Sequence, residues 1–511
     1  MSKPTKLKPF KSFAPARLAD LPKPSKLTLI LLTLLPLALF FSYYPVISLG
    51  SDATMNFEFS IALIALLAFD IVALIDLLKN YRFKKDYPGL TDRQIFILSW
   101  FPFFATASIF WSLNPLRATL TAGILWALYF AFLSLARFIR ITPSQRTKIT
   151  KIFLAGSLLI CAWCWLQCIL DLLNIDALLC AGCTSDNFGF PHPNGFAIEP
   201  QFMGNLLLAP TLLSLYLCIS TRKPLKSLGK RLKTKTAFTP ISSLKTAPRA
   251  SYAYPALFIA FASTLFLTFS RGAIYSFLVA LVILIVAEIY QRRSPTPLRA
   301  LFATFLAFLI ALTAQGIFAA VSPTNDTFST GVTKSIHQLS LGTIDLRATS
   351  VDADFKNDNF SFSITTDNTY DPGEQTSKFS GYVAESTDAR LKLNDLALAT
   401  WSQKPITILA GVGLGGAGVA IHQQFPTVVD SKEIIQNQYI STLLELGLIG
   451  ITLAILGALV VAKLYWHHPA RNLIFTLGLA YAVSLCFFSG LPNALHIYLM
   501  LPFIALITNK E

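Results

Sequence analysis

The string LFATFLAFLIALTAQGIFAAV, residues 301–321, runs directly into SPTNDTFST, residues 322–330, and that boundary decides how the whole chain reads. The first string carries no charged side chain. At 1.5 Å per residue, a helix of its length spans about the 30 Å of a bilayer's hydrocarbon core. The second string opens a polar stretch, rich in Ser, Thr and Asp, that continues to Gln436. Outward from this boundary the same greasy length recurs at 27–49, 57–78, 94–112, 118–139, 152–173, 196–219, 252–269 and 273–290, then at 439–462, 473–488 and 494–507. Hydrophobic residues make up 54% of the chain and charged ones 14%, a balance that excludes an ordinary soluble domain. The expected fold class is an all-α polytopic membrane protein, with about 12 transmembrane helices and one large extracytoplasmic insert between helices 9 and 10.

In a soluble protein a net charge of +15 would suggest nucleic acid. Here the positions of the charges matter more than their sum. Lysines and arginines crowd the tail before the first span and the loops after the second, fourth, sixth, eighth and tenth, so every basic loop falls on one side. The positive-inside rule then places both termini in the cytoplasm and residues 322–436 outside. No nucleic-acid partner is needed. The expected organisation is a basic tail over 1–25, nine spans over 26–321 with a basic loop at 221–251, the insert at 322–436 and three spans over 437–511. The first span is too long for a signal-peptide core and no small-residue cleavage site follows it, so it is expected to be retained. Cys161, Cys164, Cys168, Cys218 and Cys486 lie in spans and read as small apolar fillers. Cys180-x-x-Cys183 sits in an outward loop, where an oxidising compartment permits a local disulfide. It has too few neighbouring ligands for a closed metal site.

Within the insert, residues 360–365 alternate in strand fashion, residues 391–401 have helical spacing, and Gly411, Gly413, Gly415, Gly416 and Gly418 cluster before the return to the membrane. The insert reads as a small lid-like unit. Lacking the Lys-Ser/Thr ending of a nucleotide loop, the glycine cluster reads as a tight re-entry turn, with Gly413 and Gly415 able to bring backbone N–H groups close to an anion. Ser270-Arg271-Gly272 joins two spans with almost no loop, and a guanidinium at a bilayer edge is costly unless it meets an anion or the interface. Arg390 is a second candidate cation; Arg117, beside Asn114-Pro115, reads as an interface marker. The outward loop 187–197 carries His192 and Asn194 between Pro and Gly residues that stiffen it, with Glu199 just inside the next span. Gln436-Asn437-Gln438-Tyr439 opens the tenth span, and Gly447 and Gly450 stand one helical turn apart, a spacing suited to close helix packing.

Taken in order from Phe188 to Gly450, these motifs resemble the O-antigen ligase and O-antigen polymerase family of bacterial envelopes. The family's ligase motif is His followed by Asn, Ser or Gln, nine residues, then Gly-x-x-Gly. Asn437, Gly447 and Gly450 match it, whereas Gln436 stands at the histidine position. The resemblance implies a glycosyltransferase in the bacterial cytoplasmic membrane, moving a glycan from a polyprenyl diphosphate carrier to a glycan or lipid acceptor hydroxyl among the membrane lipids. It implies no cofactor and no metal. Arg271 and Arg390 would hold the diphosphate, since guanidinium binds phosphate oxygens in pairs. A general base contributes roughly 100 to 10,000-fold to such a reaction. Gln436 cannot serve, so Glu433 and His422 rank first, ahead of Glu445 and His192, while Gln436 and Asn437 are left to orient a sugar hydroxyl. The loss of the histidine tilts the reading towards polymerase. The rival reading is a twelve-helix transporter; against it stand the position of the insert, the absence of matching halves and the lack of a Gly-x-x-x-Asp-Arg loop.

Overall fold

The computed structural model describes residues 24–49, 57–80, 90–180, 183–220, 250–290, 296–322, 326–340, 382–431, 433–490 and 494–509. The tail up to residue 23, most of the basic loop (221–249) and the strand-like 360–365 lie outside the described residues. The helices, in chain order, are α1 (Lys26–Ala38), α2 (Ile61–Asn80), α3 (Asp92–Ala107), α4 (Pro115–Leu133), α5 (Pro143–Leu172), the single turn α6 (Ser185–Phe188), α7 (Pro200–Ser220), α8 (Ala250–Leu267) and α9 (Arg271–Tyr290). They continue with α10 (Thr296–Val321), α11 (Phe328–Leu339), α12 (Tyr382–Ser402), α13 (Pro405–Ala410), α14 (Ala417–Gln424), α15 (Gln438–Tyr465), α16 (Arg471–Ser484) and α17 (Leu495–Thr508). Each expected span contains a helix, and seven of those described are long and apolar enough to cross a membrane. The protein is an all-α polytopic membrane protein.

Local chemistry sets the helix starts. Thr91 with Gln94 and Thr142 with Gln145 form capping boxes for α3 and α5, and Pro115 and Pro143 occupy first-turn positions where no N–H is needed. The first two expected spans depart from simple helices. α1 stops at Ala38, and residues 46–49 pair antiparallel with 57–60, Val46 opposite Ser60 and Leu49 opposite Phe57. Pro45 explains part of this, because it offers no amide hydrogen and disfavours helix in the residue before it. The apolar core packs α1, α2, α4, α5, α7, α8, α9, α16 and α17 together, with Phe153, Phe258, Phe261 and Phe277 fully buried. A second cluster, Leu393, Ala397, Ala417, Ile421, Ile435 and Leu444, fastens the far part of the insert to α15.

Candidate functional site

The Ser270-Arg271-Gly272 junction is built by close approach. A Cβ on Gly272 would lie 2.8 Å from that of Phe487, and one on Gly204 would lie 2.7 Å from that of Ala273, so the start of α9 presses on both α7 and the turn after α16. Phe269, just before the junction, adopts a left-handed backbone (φ 55°), a strained conformation for an aromatic residue, and its ring stacks on His192 at 5.4 Å. The residues on either side of Arg271 thus pack against the first turns of α7. Arg390, from α12, brings its charge to Glu199, the residue that precedes α7. The start of α9 and the charge of Arg390 on α12, distant in sequence, therefore both come to the N-terminal end of α7.

The Gln436–Tyr439 string docks on the same turn. Gln438 accepts hydrogen bonds from the Gly490 N–H (2.6 Å) and the Ser489 hydroxyl (3.3 Å), its backbone N–H donates to Leu485, and the Tyr439 hydroxyl donates to Ala482. Gln201 of α7 donates to Phe487 in that turn at 3.0 Å. Residues 482–490 thereby bring the arginine junction and the opening of α15 together. Asn437 caps α15, its carbonyl accepting from the N–H groups of Tyr439 and Ile440. Gln436 differs: its Oε1 is buried and has no hydrogen-bond partner, a costly state that a donor from a bound molecule would relieve.

The glycine cluster is a tight turn, as the sequence suggests, and its anion is the chain's own. Gly447 breaks α15 with a left-handed backbone (φ 63°, ψ −165°), freeing the Leu444 and Glu445 carbonyls. Val412 and Gly413 N–H groups donate to those two carbonyls at 2.9 Å each. Side chains cannot fit at the contact, since a Cβ on Gly411 would overlap the Glu445 carbonyl and one on Gly447 would overlap that of Leu409. The closeness expected at Gly447 is therefore real, and is made with the last residues of α13, Leu409 and Ala410. The Glu445 carboxylate meets the Gly415 and Ala417 N–H groups, at the entrance to α14, and the charge of Arg117 acts on it. Arg117, Glu433, Glu445 and Gln438 line a polar cleft with about 20 Å³ of interior space, room for a single water. Burial, with Asp430 beside it, pushes the Glu433 carboxyl above its ordinary value. The cleft joins two of the carboxylates weighed as bases to an arginine that sequence placed only at the interface. The signal for Arg117 was its position after the Asn114-Pro115 helix start, opposite a glycine cluster whose partner no local pattern names.

The remaining candidates are placed apart from this cleft. His192 is packed between the rings of Phe190 and Phe269, and burial lowers its imidazole to about 3, so it is neutral at ordinary pH. Asn194 is fully buried and donates to Ala197 at 2.7 Å, while Gln167 exchanges hydrogen bonds with Gly195. His422 holds the Val429 carbonyl with Nδ1 at 2.7 Å and does not line the cleft. Cys180 and Cys183 are joined as a disulfide. Among the described residues no group of three or more His, Cys, Asp or Glu is placed to hold a metal.

No curated protein matches the chain. The family model described as O-antigen ligase matches residues 256–455, a stretch that takes in Arg271, Arg390, the glycine turn and the opening of α15. Over those residues the chain is similar to the O-antigen ligase family, the family that its motifs resemble.

Proposed function

We propose that the chain is a membrane glycosyltransferase of surface-polysaccharide assembly that takes its glycan from a polyprenyl diphosphate carrier. The observation that carries this reading is the convergence of Arg390 and the Arg271 junction on the start of α7, beside the α15 opening. Two guanidinium groups there suit a diphosphate, whose departure leaves negative charge to be neutralised. In the reaction, Glu433 accepts the proton of an acceptor hydroxyl, and that oxygen forms a bond to the anomeric carbon of the donor glycan. The bond from that carbon to the diphosphate breaks, and the diphosphate stays on its lipid. Arg117 and Glu445 hold the cleft that contains Glu433, and Gln436 Oε1 receives a second sugar hydroxyl. Protonated Glu433 cannot accept a proton, so its raised pKa sets the acid limb of the rate above the usual carboxylate range. The basic loops favour cytoplasmic termini and an outward-facing insert, the side on which a polymer of the envelope is built.

Purified protein in liposomes with lipid-linked glycan tests the reading. A transferase lengthens or transfers glycan without any gradient, and Arg271→Ala lowers that rate by about 100-fold or more while membrane insertion is unchanged. Full activity in that variant would remove Arg271 from the site. Solute movement without bond formation would establish a transporter instead.

A further inference from the structure

A second cavity adjoins the glycine turn at its other end. It is a groove of about 670 Å³, bounded by Gly411 and Val412 of the turn, by the end of α12, by α13 and α14, and by Trp111, which closes the 3-10 turn (Ser108–Trp111) that follows α3. Its size falls within the range of pockets that enclose a substantial ligand. Gln403, Gln423 and Gln424 line it together with the apolar side chains of Leu113, Ile406 and Val412, and no carboxylate is among its lining residues. Trp111 is 40% exposed. Gln424 Oε1 is buried without a hydrogen-bond partner, and an acyl chain would leave it so, whereas a hydroxyl would satisfy it.

We propose that this groove seats the acceptor glycan, a chain of sugar rings rich in hydroxyls. Amides both donate and accept, as hydroxyls do, so three of them set among apolar side chains suit a sugar ring, with its hydroxyls and C–H faces, better than an ion. An exposed indole offers a rigid apolar face to the C–H side of a ring. The turn that bounds the groove at Gly411 reaches the Glu433 cleft at Gly415 and Gly418, so a glycan lying in the groove has its end directed to that cleft. The inference rests on the transferase reading and supplies its missing partner site.

Two measurements separate the inference from that reading. Hydrogen exchange is followed in nanodiscs of zwitterionic phospholipid, with the surface polysaccharide of the cell that encodes the chain, freed from its lipid by mild acid, as the probe. Protection over residues 400–412 and 420–424 is expected, with the half-saturating concentration rising roughly tenfold in Trp111→Ala and in Gln424→Leu. No protection at saturating polysaccharide overturns the proposal. So does equal protection on replacing the lipid by an anionic one without glycan, which would make the groove a headgroup site. Bond formation is then assayed on the same preparation. Protection without bond formation sinks the transferase reading and leaves the groove standing, while bond formation without protection does the reverse.

Discussion

The loop 183–199 and the turn 411–418 look alike in sequence: both are short, glycine-bearing and set beside a polar candidate at a membrane edge. They fold to opposite ends. In the first, polar groups are spent on one another, with Asn194, Gln167 and the backbone of Gly195 and Ala197 bonded internally, Tyr43 and Tyr44 N–H groups donating to Phe196, and the Phe196 ring stacked between Phe41 and Trp163. In the second, the backbone is equally well bonded, yet Glu433 lines a small polar cleft and the buried oxygens of Gln424 and Gln436 lack partners. Satisfied groups make scaffold, and groups held ready but unsatisfied mark a site.

The comparison breaks most sharply at the glycines. Gly447→Val places a side chain into the Leu409 carbonyl on a left-handed backbone, and we expect a loss of about 3 kcal/mol or more, read as loss of monodisperse protein on extraction. Glu433→Gln is expected to lower turnover by about 100-fold with no fall in melting temperature. Its sign with pH follows from the raised pKa: the folded state favours the protonated carboxyl, so this group's contribution to stability is present below the ordinary Glu value and fades as pH rises through the raised one, while the rate climbs over the same window. A melting series and a rate profile that move together would refute the assignment. Asn194→Ala, in the other region, should cost about 1–3 kcal/mol of stability and leave the turnover of the folded fraction unchanged. Gly195→Ala is the mildest, about 1 kcal/mol, because although its φ is 61° the nearest obstacle is the flexible Met203 thioether at 3.0 Å; a thermal shift as large as that of Gly447→Val would erase the distinction between the two regions.

The membrane class and the places of most helices were legible because each rests on a local property, the length of an apolar run. The helix over 391–401 and the turn at 411–416 were legible for the same reason, from spacing and from glycine. What escaped depends on contacts between distant residues. Nothing in residues 27–49 announces a ribbon with 57–60, since the same β-branched and aromatic residues serve helix and strand in a membrane. Glu445 read as one acid in a greasy helix; its partners, Gly415, Ala417 and Arg117, come from two other elements. Gln436 could be recognised as a departure from the histidine pattern, but the burial of its oxygen could not, because that depends on packing by residues distant in sequence.

The interruption at Gly447 changes how the tenth span should be measured. Counted from residue 448 to Tyr465, the uninterrupted coil is eighteen residues, about 27 Å at 1.5 Å per residue, already close to the thickness of the oily layer. The stub from Gln438 to Leu446 is then length beyond what that layer requires. Glu445, an acid that composition alone would assign to the lipid, falls in that surplus and is gripped from two sides, by the Gly415 and Ala417 N–H groups and by the charge of Arg117.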